Sequence, residues 1–110
     1  MLSIILSSCP SNAADALARS LVERRVAACV SALPGARSTY AWQGEIQCEE
    51  EALLLIKTPT DRVAACMAEL RALHPYTVPE MVEIAAGSVG ADYLAWAVAM
   101  TRPAAELPEP

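Results

Sequence analysis

The chain has 110 residues and a net charge of −5, from eight basic and thirteen acidic residues. This length suits one small domain, and the acidic balance argues against nucleic-acid binding, which depends on clustered Lys and Arg. Hydrophobic residues make up 55% of the chain, but no run approaches the roughly 18 apolar residues that a membrane-spanning helix needs. We therefore expect no membrane span. Because the chain starts without a basic leader, we also expect no signal peptide.

The first part of the chain predicts a strand and then a helix. Residues 3–8 form a short apolar run before Cys9-Pro10, which is typical of a buried strand. Ser11 or Asn12 then offers a helix N-cap. Apolar side chains recur at three- and four-residue steps over residues 14–22, as in an amphipathic helix.

A long β-hairpin is predicted next. Residues 28–41 favour a strand, but Pro34-Gly35 interrupts it and indicates a bulge or an edge. Gln43-Gly44 supplies the turn, and the return strand becomes continuously apolar over residues 52–56. Because strands average about five or six residues, we expect part of this hairpin to extend beyond its own domain.

The second half of the chain predicts a helix, a strand and a last helix. Thr58 as cap, Pro59 at the first helical position and Asp61 in a capping box mark the start of the second helix. A fourth strand is expected at residues 81–86, and a terminal helix begins near Gly90. We expect one domain over residues 1–102, followed by a disordered Pro- and Glu-containing tail at 103–110.

This order of elements predicts an α+β fold, the ferredoxin-like βαββαβ sandwich with an extra C-terminal helix. In that fold two helices cover one face of an antiparallel four-stranded sheet. A solvated second face should alternate polar and apolar residues. Residues 4–6, 53–56 and 81–82 are instead continuously apolar, so we expect a second copy to cover that face in an obligate oligomer.

The segment from His74 to Glu80 concentrates the chain's polar chemistry. It holds the only histidine, two prolines, a tyrosine and a carboxylate. Each residue before a proline avoids helical dihedral angles, so His74 and Val78 should be extended. The segment is predicted to be a stiff connector between the second helix and the fourth strand.

A series of short motifs runs in one order along most of the chain. They are Ala28-Cys29-Val30, Pro34-Gly35, Ser38-Thr39-Tyr40, Trp42-Gln43-Gly44-Glu45-Ile46, residues 54–58, His74-Pro75-Tyr76, Val78-Pro79-Glu80 and Tyr93-Leu94-Ala95-Trp96. Together they resemble the CutA family of divalent-cation tolerance proteins, over roughly residues 2–101. The resemblance implies a ferredoxin-like subunit in a tight homotrimer of PII-like architecture. It also implies that the hairpin packs against neighbouring subunits.

The same resemblance implies a non-catalytic role in the response to metal ions, with binding of copper or another divalent metal. Three positions depart from the family's pattern. Thr77 stands where many members have glutamate, Ser31 where asparagine is frequent, and Leu73 where some members have a second histidine. The departures at Thr77 and Leu73 each remove a possible metal ligand.

Cys9 and His74 are the predicted metal ligands. Thiolate and imidazole suit soft and borderline metals, and Cys9 matches the family's proposed thiol ligand. Two ligands do not close a site, so Glu80, water or another subunit would have to contribute, and no metal is expected to be required for folding. The alternative is that His74 terminates a helix and Cys9 is a small buried apolar residue.

An intersubunit cleft is the second predicted site. The residues expected around it are Lys57, Tyr76, Glu80, Trp42 and Tyr40. They form either an interfacial ion pair, such as Lys57 with Glu80, beside aromatic packing, or a small-molecule pocket.

The four cysteines (Cys9, Cys29, Cys48 and Cys66) and the lack of a secretory signal predict reduced thiols in a cytoplasmic protein. With no nucleophile–base pair and no glycine-rich phosphate loop, we expect no enzyme. Three functions remain open. They are a metal-responsive trimer, a PII-like sensor or adaptor that binds a small effector or a protein in its intersubunit cleft, and a trimer without any ligand.

Overall fold

The computed structural model describes residues 1–103 of the chain. Of the tail expected at 103–110, residues 104–110 lie outside the described part. The elements are β1 (Leu2–Cys9), α1 (Ala14–Glu23), β2 (Cys29–Trp42), β3 (Glu45–Pro59), α2 (Val63–Leu73), β4 (Val82–Ala85) and α3 (Ala91–Met100). Each of the first two helices follows a single 3-10 turn, at Ser11–Ala13 and Thr60–Arg62.

The sheet is antiparallel, with the strand order β2-β3-β1-β4. This order confirms the ferredoxin-like sandwich. Alternate side chains of β1 and β3 point at α1 and α2 and form the core with them. The fully or almost fully buried members include Ile5, Cys9, Leu17, Leu21, Leu54, Ile56, Cys66 and Leu70.

The predicted helix caps are wrong. Neither α1 nor α2 begins with a side-chain cap, because Pro10 and Pro59 leave their strands in extended geometry and a 3-10 turn follows each of them. Thr58 remains inside β3, and its hydroxyl donates to the Val26 carbonyl at 2.7 Å. The Thr58 hydroxyl therefore bonds the sheet to the loop after α1 and does not cap α2.

The hairpin of β2 and β3 has the predicted irregularities. Its register shifts between Leu33 and Ala36, at Pro34-Gly35, and Gly35 has a φ of +80°. Gln43 and Gly44 both have positive φ, as a two-residue hairpin turn of type I′ requires. β1 pairs only with Ala52–Pro59 of β3, so residues 36–51 form an arm in which β2 and β3 pair with each other alone.

The helix-free face of the sheet is apolar where β1 and β4 pair. Neighbouring pairs across β1 and β4 are Ile4 with Ile84 and Leu6 with Val82, and the β4 members are about half exposed. Helix α3 covers one end of this face, where Ala97 packs with Leu2 and Ala28. The rest of the face has no cover within the described residues, and a contiguous apolar surface of this kind marks an interaction site.

No helix in the described part of the chain is both long and apolar enough to cross a membrane.

Core packing predicts that alanine substitutions at two adjacent positions of α2 change the free energy of unfolding by very different amounts. Leu70 is fully buried whereas Arg71 is exposed. Leu70→Ala should lower the free energy of unfolding by about 2–5 kcal/mol, whereas Arg71→Ala should change it by less than about 0.5 kcal/mol. Urea denaturation at one fixed protein concentration measures both values, and equal effects would contradict this assignment of the core.

Candidate functional site

The connector after α2 is held by the ring of His74. This residue is the C-cap of α2 and is extended, with φ −72° and ψ 137°, as the following Pro75 predicts. The Tyr76 backbone N–H can only donate, so Nδ1 of His74 is its acceptor, at 3.1 Å. The ring proton then sits on Nε2 and is donated to the Ser8 carbonyl at 2.7 Å. The imidazole thus joins the connector to the end of β1, and both of its nitrogens are engaged.

Cys9 lies next to this contact but points into the core. It follows Ser8 at the end of β1 and is fully buried beneath the helices. Burial raises the pKa of its thiol, and the charge of Glu51 adds to that effect. The structure therefore brings Cys9 and His74 to the same corner, with the thiol held in its protonated form.

The pair does not make a closed metal site in one chain. A metal needs the thiolate and a free imidazole lone pair. Here the thiol is protonated, and the lone pair on Nδ1 accepts the Tyr76 N–H. Among residues 1–103, no group of three or more His, Cys, Asp or Glu side chains is arranged to hold a metal ion.

Lys57 lies on the helix-free face of β3, away from the connector. Its Nζ donates to the Ser31 hydroxyl at 2.7 Å and approaches Sγ of Cys29, its cross-strand partner, at 3.9 Å. Within the chain Lys57 does not pair with Glu80, which accepts a long hydrogen bond from the Ser8 hydroxyl at 3.4 Å; the interfacial pair stays a prediction. Serine at position 31 thus has a local role as the acceptor for Lys57.

A buried carboxylate and a phenol join the hairpin to the connector. Glu51 is only 4% exposed, and it accepts a hydrogen bond from the Tyr76 hydroxyl at 2.6 Å. Burial, and then the hydrogen bond and charge of Glu51, raise the pKa of Tyr76 well above its usual range. The phenol therefore stays protonated and remains a donor. The ring of Tyr76 also packs against His74, with centroids 4.8 Å apart.

A cavity of about 930 Å³ lies between the outer arm of the hairpin and this connector. Four of the residues predicted around a cleft line it, namely Tyr40, Trp42, Tyr76 and Glu80, and Lys57 does not. Thr77, one of the departures from the family's pattern, also lines it. The volume is in the range of small-molecule sites, which run from about 300 to 1,000 Å³.

Sequence reasoning missed Glu49 and Glu51, which supply two of the cavity's carboxylates. A signal for Glu51 was present, because it stands directly before the apolar run at residues 52–56. A charged residue at the start of a buried strand segment needs a partner. That partner, Tyr76, lies 25 residues away, and no local pattern indicates it.

The other cysteines differ in exposure. Cys66 is buried on α2, as its place in the helical stripe predicted, and burial raises the pKa of its thiol to about 11. Cys48 is exposed on the outer arm, and its thiol pKa is lowered by hydrogen bonds with Thr39 and with Arg37, whose Nη2 lies 3.5 Å from Sγ. All four cysteines are free thiols.

Comparison with known proteins assigns a family to this arrangement. The model of the CutA1 divalent ion tolerance protein family matches residues 3–100. The chain belongs to this family. It is 44% identical over 94 residues to the divalent-cation tolerance protein CutA of Thermus thermophilus, covering 84% of this chain and 91% of the relative. The CutA of Pectobacterium atrosepticum is 42% identical over 100 residues, covering 90% of this chain and 91% of the relative.

A solved CutA structure shows the same fold. The crystal structure of CutA from Xylella fastidiosa matches with a TM-score of 0.89 and 42% identity, covering 92% of this chain and 98% of that one. The CutA1 family match therefore includes the whole sheet, the connector at His74 and the hairpin that lines the cavity.

The Tyr76–Glu51 contact predicts unequal effects of two phenol deletions. Tyr76→Phe removes the donor to a buried carboxylate and should lower the free energy of unfolding by about 1–3 kcal/mol. Tyr40→Phe is the matched control, because Tyr40 is exposed and lies beside the exposed Glu49. Denaturant unfolding measures both, and a cost for Tyr76→Phe no larger than that for Tyr40→Phe would contradict the role of Glu51.

Proposed function

We propose that this chain forms a non-catalytic homotrimer that acts in the response to divalent metal ions and binds copper or another divalent metal weakly. The observation that carries the proposal is the CutA1 family match over residues 3–100, which spans every element of the sandwich. We propose the cytoplasm as its compartment. A structural relative from Archaeoglobus fulgidus is described as periplasmic, so cell fractionation with a periplasmic marker is the direct test.

The uncovered sheet face supports the homotrimer. Val82 and Ile84 on β4 are about half exposed beside Ile4 and Leu6, and Tyr93 and Trp96 on α3 are partly exposed as well. Burying this surface against further copies would remove apolar area from water, at about 25 cal/mol per Å². It would also explain why the strands do not alternate polar and apolar residues.

A charge on that face should therefore break the assembly. Val82→Lys should shift the protein from three times the subunit mass of 11.7 kDa to smaller species, because a lysine would be buried at the interface. Ala72→Lys is the control, on an exposed position of α2 away from that face. Sedimentation equilibrium measures the mass. A wild-type monomer, or an unchanged mass for Val82→Lys, would contradict the proposal.

The proposed metal ligands are Cys9 at the end of β1 and His74 at the end of α2. To bind there, a metal would have to displace the Tyr76 N–H from Nδ1 and a proton from a thiol whose pKa burial has raised. Both requirements lower the affinity, and a further ligand would have to come from Glu80, water or another subunit.

Calorimetric titration with copper tests the named ligands. Cys9→Ser and His74→Ala should each abolish the heat of binding, and the wild-type affinity should rise with pH because thiolate formation becomes easier. Cys48→Ser is the control for adventitious binding at an exposed thiol. Unchanged affinity in both ligand variants, or loss with Cys48→Ser alone, would exclude this site.

The cavity supports a second function, the sensing of a small effector. The outer arm of the hairpin and the connector form an open cleft of about 930 Å³, which hydroxyl, carboxylate and aromatic groups line. Effector binding there needs neither Cys9 nor His74 as a ligand. It should therefore persist in a metal chelator, unlike the metal response.

A further inference from the structure

The lining of the cavity carries charge of one sign. Glu49, Glu51 and Glu80 all contribute carboxylates, whereas none of the described lining residues is Lys, Arg or His. The ion pairs among residues 1–103 are Arg19–Glu23, Arg24–Glu69 and Arg102–Asp61, and none involves a lining residue. The carboxylates of the cavity therefore form no ion pair within the described chain.

Among the three carboxylates, Glu51 is the one most affected by the lack of a positively charged partner. Its side chain is almost wholly buried, yet the group that bonds it is the neutral hydroxyl of Tyr76. Removing a carboxylate from water is costly unless it is paired with positive charge. A cation that enters the cavity beside Glu51 would supply that charge.

Aromatic rings form the rest of the wall. Tyr40 and Trp42 project from the outer arm, and Tyr76 projects from the connector. Burial and the neighbouring carboxylates raise the pKa of both phenols, through Glu49 for Tyr40 and Glu51 for Tyr76, so the rings stay uncharged. Uncharged aromatic faces attract ammonium and guanidinium groups, and carboxylates beside them strengthen that preference.

The volume of the cavity and the spacing of its carboxylates favour an organic molecule over a metal ion as its ligand. No three acidic, thiol or imidazole groups of residues 1–103 converge as metal ligands, whereas the space accommodates a molecule of many atoms. We propose that the cavity binds a flexible organic polycation of the polyamine class. Its ammonium groups pair with Glu49, Glu51 and Glu80, and its methylene segments lie on Trp42 and Tyr40. This proposal rests on the second function above, that the cavity takes a small ligand.

Fluorescence of Trp42 is the direct readout. The chain has two tryptophans, so Trp96→Phe leaves Trp42 as the only one. Spermidine titrated into this variant, in EDTA and at low salt, should change the emission saturably with one affinity. Glu51→Gln and Glu80→Gln should each weaken that affinity about tenfold or more, because each removes one carboxylate of the site.

Two controls keep the test specific. Glu50→Gln removes an exposed charge from the same strand that does not line the cavity, and it should leave the affinity within about twofold. Glu80→Gln, at an exposed position, replaces Glu51→Gln if the latter fails to fold. Equal weakening by Glu50→Gln and the cavity variants would show attraction to the acidic surface in general and would overturn the proposal.

An anionic probe distinguishes failure of the polycation proposal from failure of the effector function on which it rests. If adenosine triphosphate changes the Trp42 emission and spermidine does not, the cavity binds a small ligand, but the ligand is not a polycation and this proposal is wrong. If neither probe changes the emission, both the polycation proposal and the effector function are contradicted. The polycation proposal requires spermidine to bind and adenosine triphosphate not to.

Discussion

The unequal lengths of β1 and β3 determine most of this structure. β3 has 15 residues and its partner β1 has 8, so the sheet's shared ladder ends at the pair of Cys9 and Ala52. Beyond that pair, β3 has only β2 as a neighbour, and the two strands continue as a free arm. The residue composition changes at the same position, from the mostly polar residues 47–51 to the apolar residues 52–56. The sequence boundary is therefore also the boundary between the sandwich and the arm.

The predicted metal ligands and the buried carboxylate lie around this boundary. Glu51 is the first residue of β3 beyond the shared ladder, and Tyr76 reaches it from the connector. His74 fixes that connector to the Ser8 carbonyl, one residue before Cys9. One corner of the fold thus serves two proposed roles. The thiol and the imidazole lie towards the core, and the carboxylates and aromatic rings lie towards the cavity.

The engagement of His74 explains why a dense cluster of polar residues does not make a strong metal site. An imidazole that donates to one carbonyl and accepts from one amide works as a structural link between two chain segments. The links hold Tyr76 where it can bond Glu51. In this account, the conformation of the connector depends on the histidine first, and any metal has to compete with that bonding.

Local sequence signals were enough for the order of elements, the bulge at Pro34-Gly35 and the turn at Gln43-Gly44, because each depends on adjacent residues. The family resemblance was likewise readable from motifs in order. The helix starts were mispredicted because Pro59 extends its strand before the helix begins.

The site's contacts could not be predicted in the same way. Glu51 with Tyr76 and Lys57 with Ser31 join residues about 25 positions apart, and only the folded sheet brings them together. Sequence periodicity indicates which face of a strand or helix a residue occupies, but it does not indicate which polar group the residue contacts in the folded chain.

Anomalous diffraction from a crystal grown with copper tests whether this chain binds metal at the end of β1. We expect one weakly occupied copper peak per subunit between Cys9 and His74, with the Tyr76 N–H turned away from Nδ1. A copper peak at Cys48 or among the carboxylates of the arm, with the His74 hydrogen bonds intact, would contradict it.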